Sequence, residues 1–380
     1  MCSPGVCAAI TMALVIGSSW WLLHGDSGML SSSHSARSAD NRAAAFRRIL
    51  QPAHIGCPLS DRAASYPAGW RVAPDRRPDP TVLRIATFNA EWLFDGVDDS
   101  PKHVPWQGAA AGEAHLQKVA AVVASLDADI LNVVEVEGCF MLHRLVEALP
   151  SVKQRRDYAP YLAPGQDSAT RQQIGLVTKL SPTVPPQRTE AREGYPRAGS
   201  GCGWSEPLGS KTTGVSKHYW SVFAVPGLGK ELLVVGAHLK ARPNEPRSCA
   251  QREAQAAVLA EVVREQSHGR HIVLLGDLND FDPGVPDSSR NAPTSNVLRQ
   301  LSGDLGLVSA AARLEQPERW TWEGPDYPRG MLDHILVSEE HAYQPRHVFQ
   351  LSEIYMLITG ERGAHADAGG GRRDGRSRWS

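Results

Sequence analysis

Six residues of this chain could do chemistry together: Asn89, Glu135, His238, Asp277, Asn279 and Asp333. Glu135 and Asp333 offer carboxylates and Asn89 an amide oxygen, the donor set that a hard divalent cation takes while keeping several waters. His238 can give a hydrogen bond to a phosphate oxygen. Asp277 and Asn279 stand two apart, so on extended backbone their side chains point the same way. They could orient an attacking water and a phosphoryl group together. Hydrolysis of a phosphate ester is largely positioning plus neutralisation of developing negative charge. Rival chemistries lack their motifs. The sequence holds no G-x-S-x-G or Cys-His arrangement that competes as a covalent nucleophile, and no G-x-x-x-x-G-K-[ST] loop.

Each candidate sits at the end of a short apolar run, which requires strands to carry them. Val82–Phe88 reads as a buried strand and delivers Asn89-Ala90-Glu91. Ile130–Val134 delivers Glu135-Val136-Glu137. Leu232–Val235 leads to Gly236-Ala237-His238-Leu239-Lys240, and His271–Leu275 to Gly276-Asp277-Leu278-Asn279-Asp280. Asp333-His334 directly precedes Ile335–Val337. Residues 113–126 and 251–265 have helical apolar spacing. Strands alternating with helices give an α/β or α+β layered domain, whose strand ends present side chains to a cleft. Alone, each cluster has a plain structural reading as a turn or a solvated strand-end charge. The ordered set of five is the signal.

Composition bounds the rest. The chain has 380 residues, 42% hydrophobic and 21% charged, with 40 basic against 41 acidic side chains. That is a globular chain, and neither a strongly basic nucleic-acid wrapper nor an acidic tail protein. Six cysteines are too few for a disulfide-dense small scaffold and form no pair of close C-x-x-C motifs. Residues 1–23 include an uncharged stretch, Gly5–Leu23, which reads as a signal peptide or a single anchor. The first basic residue is Arg37, a weak n-region, and Arg37, Arg42, Arg47 and Arg48 follow the stretch. Residues 24–80 read as a low-structure linker, 81–358 as the folded domain, and 359–380 as a Gly- and Arg-rich disordered tail.

The motifs Thr87-Phe88-Asn89-Ala90-Glu91-Trp92, Asp129 to Glu135, Ala237-His238-Leu239, Gly276 to Asp280 and Leu332 to Ser338 together resemble the endonuclease/exonuclease/phosphatase superfamily. That family contains secreted DNases, abasic-site endonucleases, sphingomyelinases and inositol-phosphate phosphatases. The resemblance covers about residues 82 to 340. With the run Cys249 to Ala256 it looks closest to exported bacterial members. It implies an α+β fold, a four-layer α-β-β-α sandwich of two packed mixed sheets. It implies magnesium, with manganese or calcium as alternatives, held by Asn89, Glu135 and Asp333. Glu137 is the residue a slipped alignment would choose in place of Glu135. His238, Asp277 and Asn279 take the catalytic places. The implied substrate is nucleic acid or another phosphate ester, with no stable protein partner. The N-terminal stretch implies a secreted or periplasmic location, or an anchored one with membrane contact.

One departure stands out. The family closes with Ser-Asp-His and a final strand, but here the chain reads Gly360-Glu361-Arg362-Gly363-Ala364-His365-Ala366-Asp367. A reading-frame slip in the gene would produce this; a divergent tail with His365 as a displaced substitute is the other reading. Either way the closing strand is expected to be missing, its sheet edge open and hydrolysis feeble. Tyr161, Arg171 and Lys240 are candidates for binding substrate beside the reacting phosphate. Residues 183–217 form a long irregular insertion with Arg188, Arg192, Arg197, Lys211 and Lys217, either phosphate contacts or a solvated face. Cys202 and Cys249 are expected to pair if the protein is exported.

Overall fold

The computed structural model describes residues 9–12, 57, 72–97, 106, 108–323, 329–338 and 355–356. One six-stranded sheet holds β1 (Ala9–Met12), β2 (Val82–Leu93), β3 (Ile130–Val136), β4 (Ala159–Leu162) and β5 (Gln173–Thr178) in the order β1-β2-β3-β5-β4, with a sixth strand near the C-terminus paired to β2 off that path. The other holds β6 (Val184–Gln187), β9 (His218–Phe223), β10 (Leu232–His238), β11 (His271–Asp277), β12 (Leu307–Ser309) and β13 (Asp333–Ser338) in the order β12-β13-β11-β10-β9-β6. A separate ladder pairs β7 (Glu193–Tyr195) with β8 (Lys211–Thr213), and β14 (Tyr355–Met356) pairs with β2. Among the described residues the α-helices are α1 (Ala109–Leu126), α2 (Cys139–Ala148), α3 (Val152–Asp157), α4 (Pro246–Gln266) and α5 (Val297–Ser302). Both sheets are mixed: β2–β3 and β10–β11 run parallel, while β3–β5 and β11–β13 run antiparallel.

Alternation along the strands builds the layers, because successive side chains leave opposite faces. Leu83 and Ile85 meet Tyr161, Tyr219, Val234 and Leu275 between the sheets. Ala86, Phe88 and Val133 face outward onto Leu116, Val119 and Met141 of α1 and α2. Leu233, Val235 and Leu274 face outward onto Leu259, Val263 and Leu298 of α4 and α5. The result is the expected α-β-β-α sandwich. A polar seam crosses its centre: Tyr219 donates to Asn132 Oδ1 at 2.9 Å, and Asn132 donates to Thr87 Oγ1 at 2.9 Å. Gly236 makes room for that ring, since a Cβ there would lie 2.3 Å from it.

Three expectations change. Tyr161 lines no groove: it is fully buried between the sheets, and its hydroxyl lies 3.2 Å from Ser181 Oγ. A residue on β4 that points inward is spent on the core. The stretch expected to be a linker is partly docked. Cys57 is buried and bonded to Cys139, and Arg77 is buried with its guanidinium on Asp75 and the Val82 carbonyl. The edge of β2 is not bare either: β1 pairs with residues 82–85 and β14 with residues 86–87, both parallel. Apart from the backbone of 9–12, the signal-peptide stretch lies outside the described residues, as does the 359–380 tail with His365. No helix among the described residues is long and apolar enough to cross a membrane.

Gly276 is where backbone demands are sharpest. Its φ is +137°, and an added Cβ would sit 2.0 Å from the Ala237 carbonyl oxygen of the neighbouring strand. Gly276→Ala is therefore expected to cost roughly 3 kcal/mol or more, through strain and a forced opening of β10–β11. In a domain of this size that lowers the melting temperature by about 6–12 °C, which a thermal denaturation curve will read.

Candidate active site

Five strand ends meet where the two sheets adjoin. In the second sheet, His238, Asp277 and Asp333 are in register across β10, β11 and β13. The first sheet supplies Asn89 and Glu135. Asn89 joins the halves: its amide nitrogen donates to Glu135 Oε1 at 3.2 Å and to Asp277 Oδ2 at 3.1 Å. His238 Nε2 lies 3.9 Å from Glu135 Oε1 and 3.8 Å from Asp277 Oδ2. Glu135, His238 and Asp277 are near enough to share one ion.

Backbone irregularity aims these groups. The β3–β5 ladder slips between Val134 and Val136, and Glu135 between them has φ +63°. Such a bulge frees one residue from the strand's alternation and re-aims its side chain. The β2–β3 ladder slips between Asn89 and Leu93, with Glu91 at φ +46° and Trp92 at +60°. Trp92 N then donates to Glu135 Oε2 at 3.2 Å, locking the carboxylate. Asn279 has φ +52°, and its backbone N donates to Asp277 Oδ1 at 3.0 Å. Left-handed non-glycine residues carry a conformational cost that surrounding structure must offset, and they gather at functional sites.

The electrostatics are unbalanced toward negative charge. Burial pushes the Glu135 carboxyl up. Burial, then the Asp333 and Glu135 charges, hold Asp277 well above the carboxylate range. Asp333 is pushed up to about 7 by burial, with Glu135 adding to it. Asp333 Oδ1 is buried without a hydrogen-bond partner. One cation faces this group. Lys217 Nζ donates to Gln172 Oε1 at 3.1 Å and lies 3.7 Å from Asp167 Oδ2. Burial pulls its pKa down, against the charges of Asp167, Glu135 and Asp277. Burial, then Lys217, holds His238 well below its usual range, so its imidazole is neutral. Three crowded carboxyls, one with an orphaned oxygen, are the donor chemistry of a hard-cation site.

The sequence model of the Endonuclease/Exonuclease/phosphatase family matches residues 86–360. The chain belongs to this family. No curated protein sequence matches it. Among solved structures, the human Nocturnin catalytic domain is 16% identical, with 59% of this chain and 75% of that chain covered at a TM-score of 0.37. A family protein from Leptotrichia buccalis is 14% identical over 67% and 88%, TM-score 0.42. The mannosyl-6-phosphatase of Bacteroides thetaiotaomicron is 17% identical over 67% and 85%, TM-score 0.37.

Of the residues expected from the sequence, this family member brings Asn89, Glu135, His238, Asp277, Asn279 and Asp333 to one place. Asn89 plays a different part from the one expected. Its amide nitrogen faces the carboxylates, while its oxygen accepts from Glu91 N at 2.9 Å, so it braces the ligands and offers no oxygen inward. Glu137 turns away and accepts from Asp95 N at 3.0 Å. Arg171 and Lys240 are exposed beside the cluster: Arg171 adjoins Gln172, and Lys240 is close enough to Lys217 to depress its pKa further. Asp167 and the inward aim of Lys217 were not legible. Their only sequence signal was a basic residue directly before an apolar strand.

Proposed function

We propose that this family member is an exported, divalent-metal-dependent phosphodiesterase that hydrolyses nucleic-acid strands. The observation that carries the reading is the orphaned oxygen of buried Asp333, grouped with buried Asp277 and half-buried Glu135 and faced by His238 and Lys217. Those three carboxylates would hold the cation, magnesium or else manganese or calcium. When bound it would supply neutralisation of phosphoryl charge and polarisation of a phosphoryl oxygen. The remaining work falls to the chain's own groups. Neutral His238 and the Lys217 ammonium contact phosphoryl oxygens. Asp277, fixed by Asn89 and by Asn279 N, orients a water and takes up its proton. Asn279 holds the opposite side of the phosphoryl group.

Lys240 and Arg171 beside the cluster suit neighbouring phosphates of a strand. This makes the basic footprint local, in keeping with a net charge of −1. Export is supported by two disulfides among the described residues, Cys57–Cys139 and Cys202–Cys249, which persist in oxidising compartments.

The test is hydrolysis of a fluorescent oligonucleotide with magnesium, beside inositol phosphates and a phosphomonoester. Lys217→Met is expected to lower kcat/KM for the oligonucleotide about 10- to 100-fold, the worth of one charge-assisted hydrogen bond. Preference for the monoester or the inositol phosphate would replace the nuclease reading with those activities. Binding of oligonucleotide without turnover would leave a binding module.

A further inference from the structure

A concavity of about 380 Å³ opens beside the carboxylate cluster. Its lining includes Asp167, whose carboxylate lies 3.7 Å from Lys217 Nζ, so the space abuts the cluster through that pair. The insertion expected from the sequence to be irregular forms one side, through Arg188, Glu190 and Arg192. Helix α4 forms the other, through Gln251 and Gln255. The Cys202–Cys249 disulfide ties that insertion to that helix.

Both sides are held in place before any ligand arrives. The Arg188 guanidinium donates to the Pro164 carbonyl at 3.3 Å and to the Val215 carbonyl at 3.1 Å, and its buried Nε–H has no partner. Thr189 N donates to His218 Nε2 at 3.0 Å. Across the space, Gln251 donates to Thr213 Oγ1 at 3.1 Å and Gln255 to the Gly214 carbonyl at 3.3 Å. Gln255 Oε1 also accepts from Lys240 N at 2.9 Å, which links this wall to the strand end carrying His238.

The lining decides what would enter. Asp167 and Glu190 balance Arg188 and Arg192, so the space offers no net positive charge to a phosphate. No aromatic side chain lines it among the described residues, so it provides no face on which a base would stack. What it does offer, beyond the groups spent on those internal bonds, is a polar lining of both kinds through Gln166, Ser168, Glu190 and Ser216, with the orphaned Arg188 Nε–H beside it, the chemistry that reads hydroxyl groups.

We propose that this cavity is a subsite for a ring bearing free hydroxyl groups, joined to the reacting phosphate: a ribose or a cyclic polyol. The proposal rests on the phosphodiesterase reading and narrows its substrates to hydroxylated ones over deoxyribose ones. A site built to bond a hydroxyl disfavours the analogue that lacks it, because its polar groups are then left unpaired.

The experiment compares uridylyl-uridine, its 2′-deoxy counterpart, glycerophospho-myo-inositol and bis(4-nitrophenyl) phosphate as magnesium-supported substrates. The parent is expected to favour at least one hydroxylated substrate over the deoxy dinucleotide by about tenfold or more in kcat/KM. Which of the two is favoured separates ribose from polyol. Ser168→Trp, at an exposed position on the rim, should fill the space and raise KM for that substrate while leaving bis(4-nitrophenyl) phosphate unchanged. Gln251→Ala should shift KM the same way, more mildly, if the tryptophan variant melts early. Equal rates on all three larger substrates would overturn the subsite, as would a Ser168→Trp variant that slows bis(4-nitrophenyl) phosphate equally. Loss of the hydrolase reading shows separately, as no turnover of bis(4-nitrophenyl) phosphate. In that event NMR titration with uridine 3′-monophosphate and its 2′-deoxy form still decides: tighter binding of the hydroxylated form, abolished by Ser168→Trp, upholds the subsite, and equal binding overturns it.

Discussion

Asp277→Asn is expected to cut phosphodiester hydrolysis on the order of 10²–10⁴-fold, the range of a positioned acid–base group, while raising the melting temperature of the metal-free protein. Both effects have one origin. Asp277 is buried beside Asp333 and Glu135, and each charge makes the others harder to ionise. The amide keeps the shape of the carboxyl and removes one of three repelling charges. It can still accept from Asn279 N, which now donates to Asp277 Oδ1 at 3.0 Å. It loses the bond from Asn89, which now donates to Asp277 Oδ2 at 3.1 Å; relief of the charge repulsion is expected to outweigh that single bond. It cannot take up a proton from water or serve as an anionic ligand. Steady-state kinetics and calorimetry on the same preparations will read both. A variant that loses activity and stability together would point to damaged folding. One that keeps its activity would remove Asp277 from the reacting centre. The opposed changes are the mark of a site that function keeps strained.

The largest loss of stability is expected at Arg252→Met. Arg252 is fully buried in α4. Its Nε donates to Asp280 Oδ2 at 3.0 Å, one Nη to the Lys240 and Arg242 carbonyls at 3.1 and 3.0 Å, and the other to the Pro243 carbonyl at 2.8 Å. Asp280 also accepts from Ser295, and its own carbonyl accepts from His334 Nε2 at 2.8 Å. One guanidinium thus ties the turns after His238 and Asn279 to the strand that starts at Asp333. Methionine matches much of its volume but leaves Asp280 buried and unpaired, which costs about 3–5 kcal/mol. The melting temperature should fall by about 10 °C or more. Adding Asp280→Leu should recover part of the loss, since replacing both partners removes the stranded charge. A double variant no more stable than Arg252→Met alone would show that the carbonyl contacts matter more than the ion pair.

How much of this was written in the chain differs by residue. The ordered strand-end motifs carry the layers and six members of the cluster, because period-two apolar runs and the polar groups that stop them are local features. The helix expected over 251–265 is there but begins earlier, at Pro246, where a proline at the first turn starts it without a sustained apolar period. Helix α2 went unseen: Cys139–Ala148 is short, and its burial depends on the outer face of a sheet far away in sequence. Tyr161 belongs to a strand buried on both faces, and the residues flanking it do not distinguish that from a strand with one face open to a groove. The aim of Lys217 could not be read, since it depends on Asp167 and Gln172 from another loop. Asn89 was identified, but which way its amide points is set by the bulge that brings Glu91 N to its oxygen.

That amide also makes the cluster a keystone. With Asn89 holding Glu135 of one sheet and Asp277 of the other, the site exists only while the two halves of the sandwich stay in step. Anything that grips the cluster therefore grips the whole architecture. By linkage, a ligand that binds only this joined state must resist the parting of the sheets by as much as that parting weakens its own hold. Recognition and structural integrity become one equilibrium seen from two ends, and the chain deprived of its ligand would be a looser, more protease-sensitive form of itself.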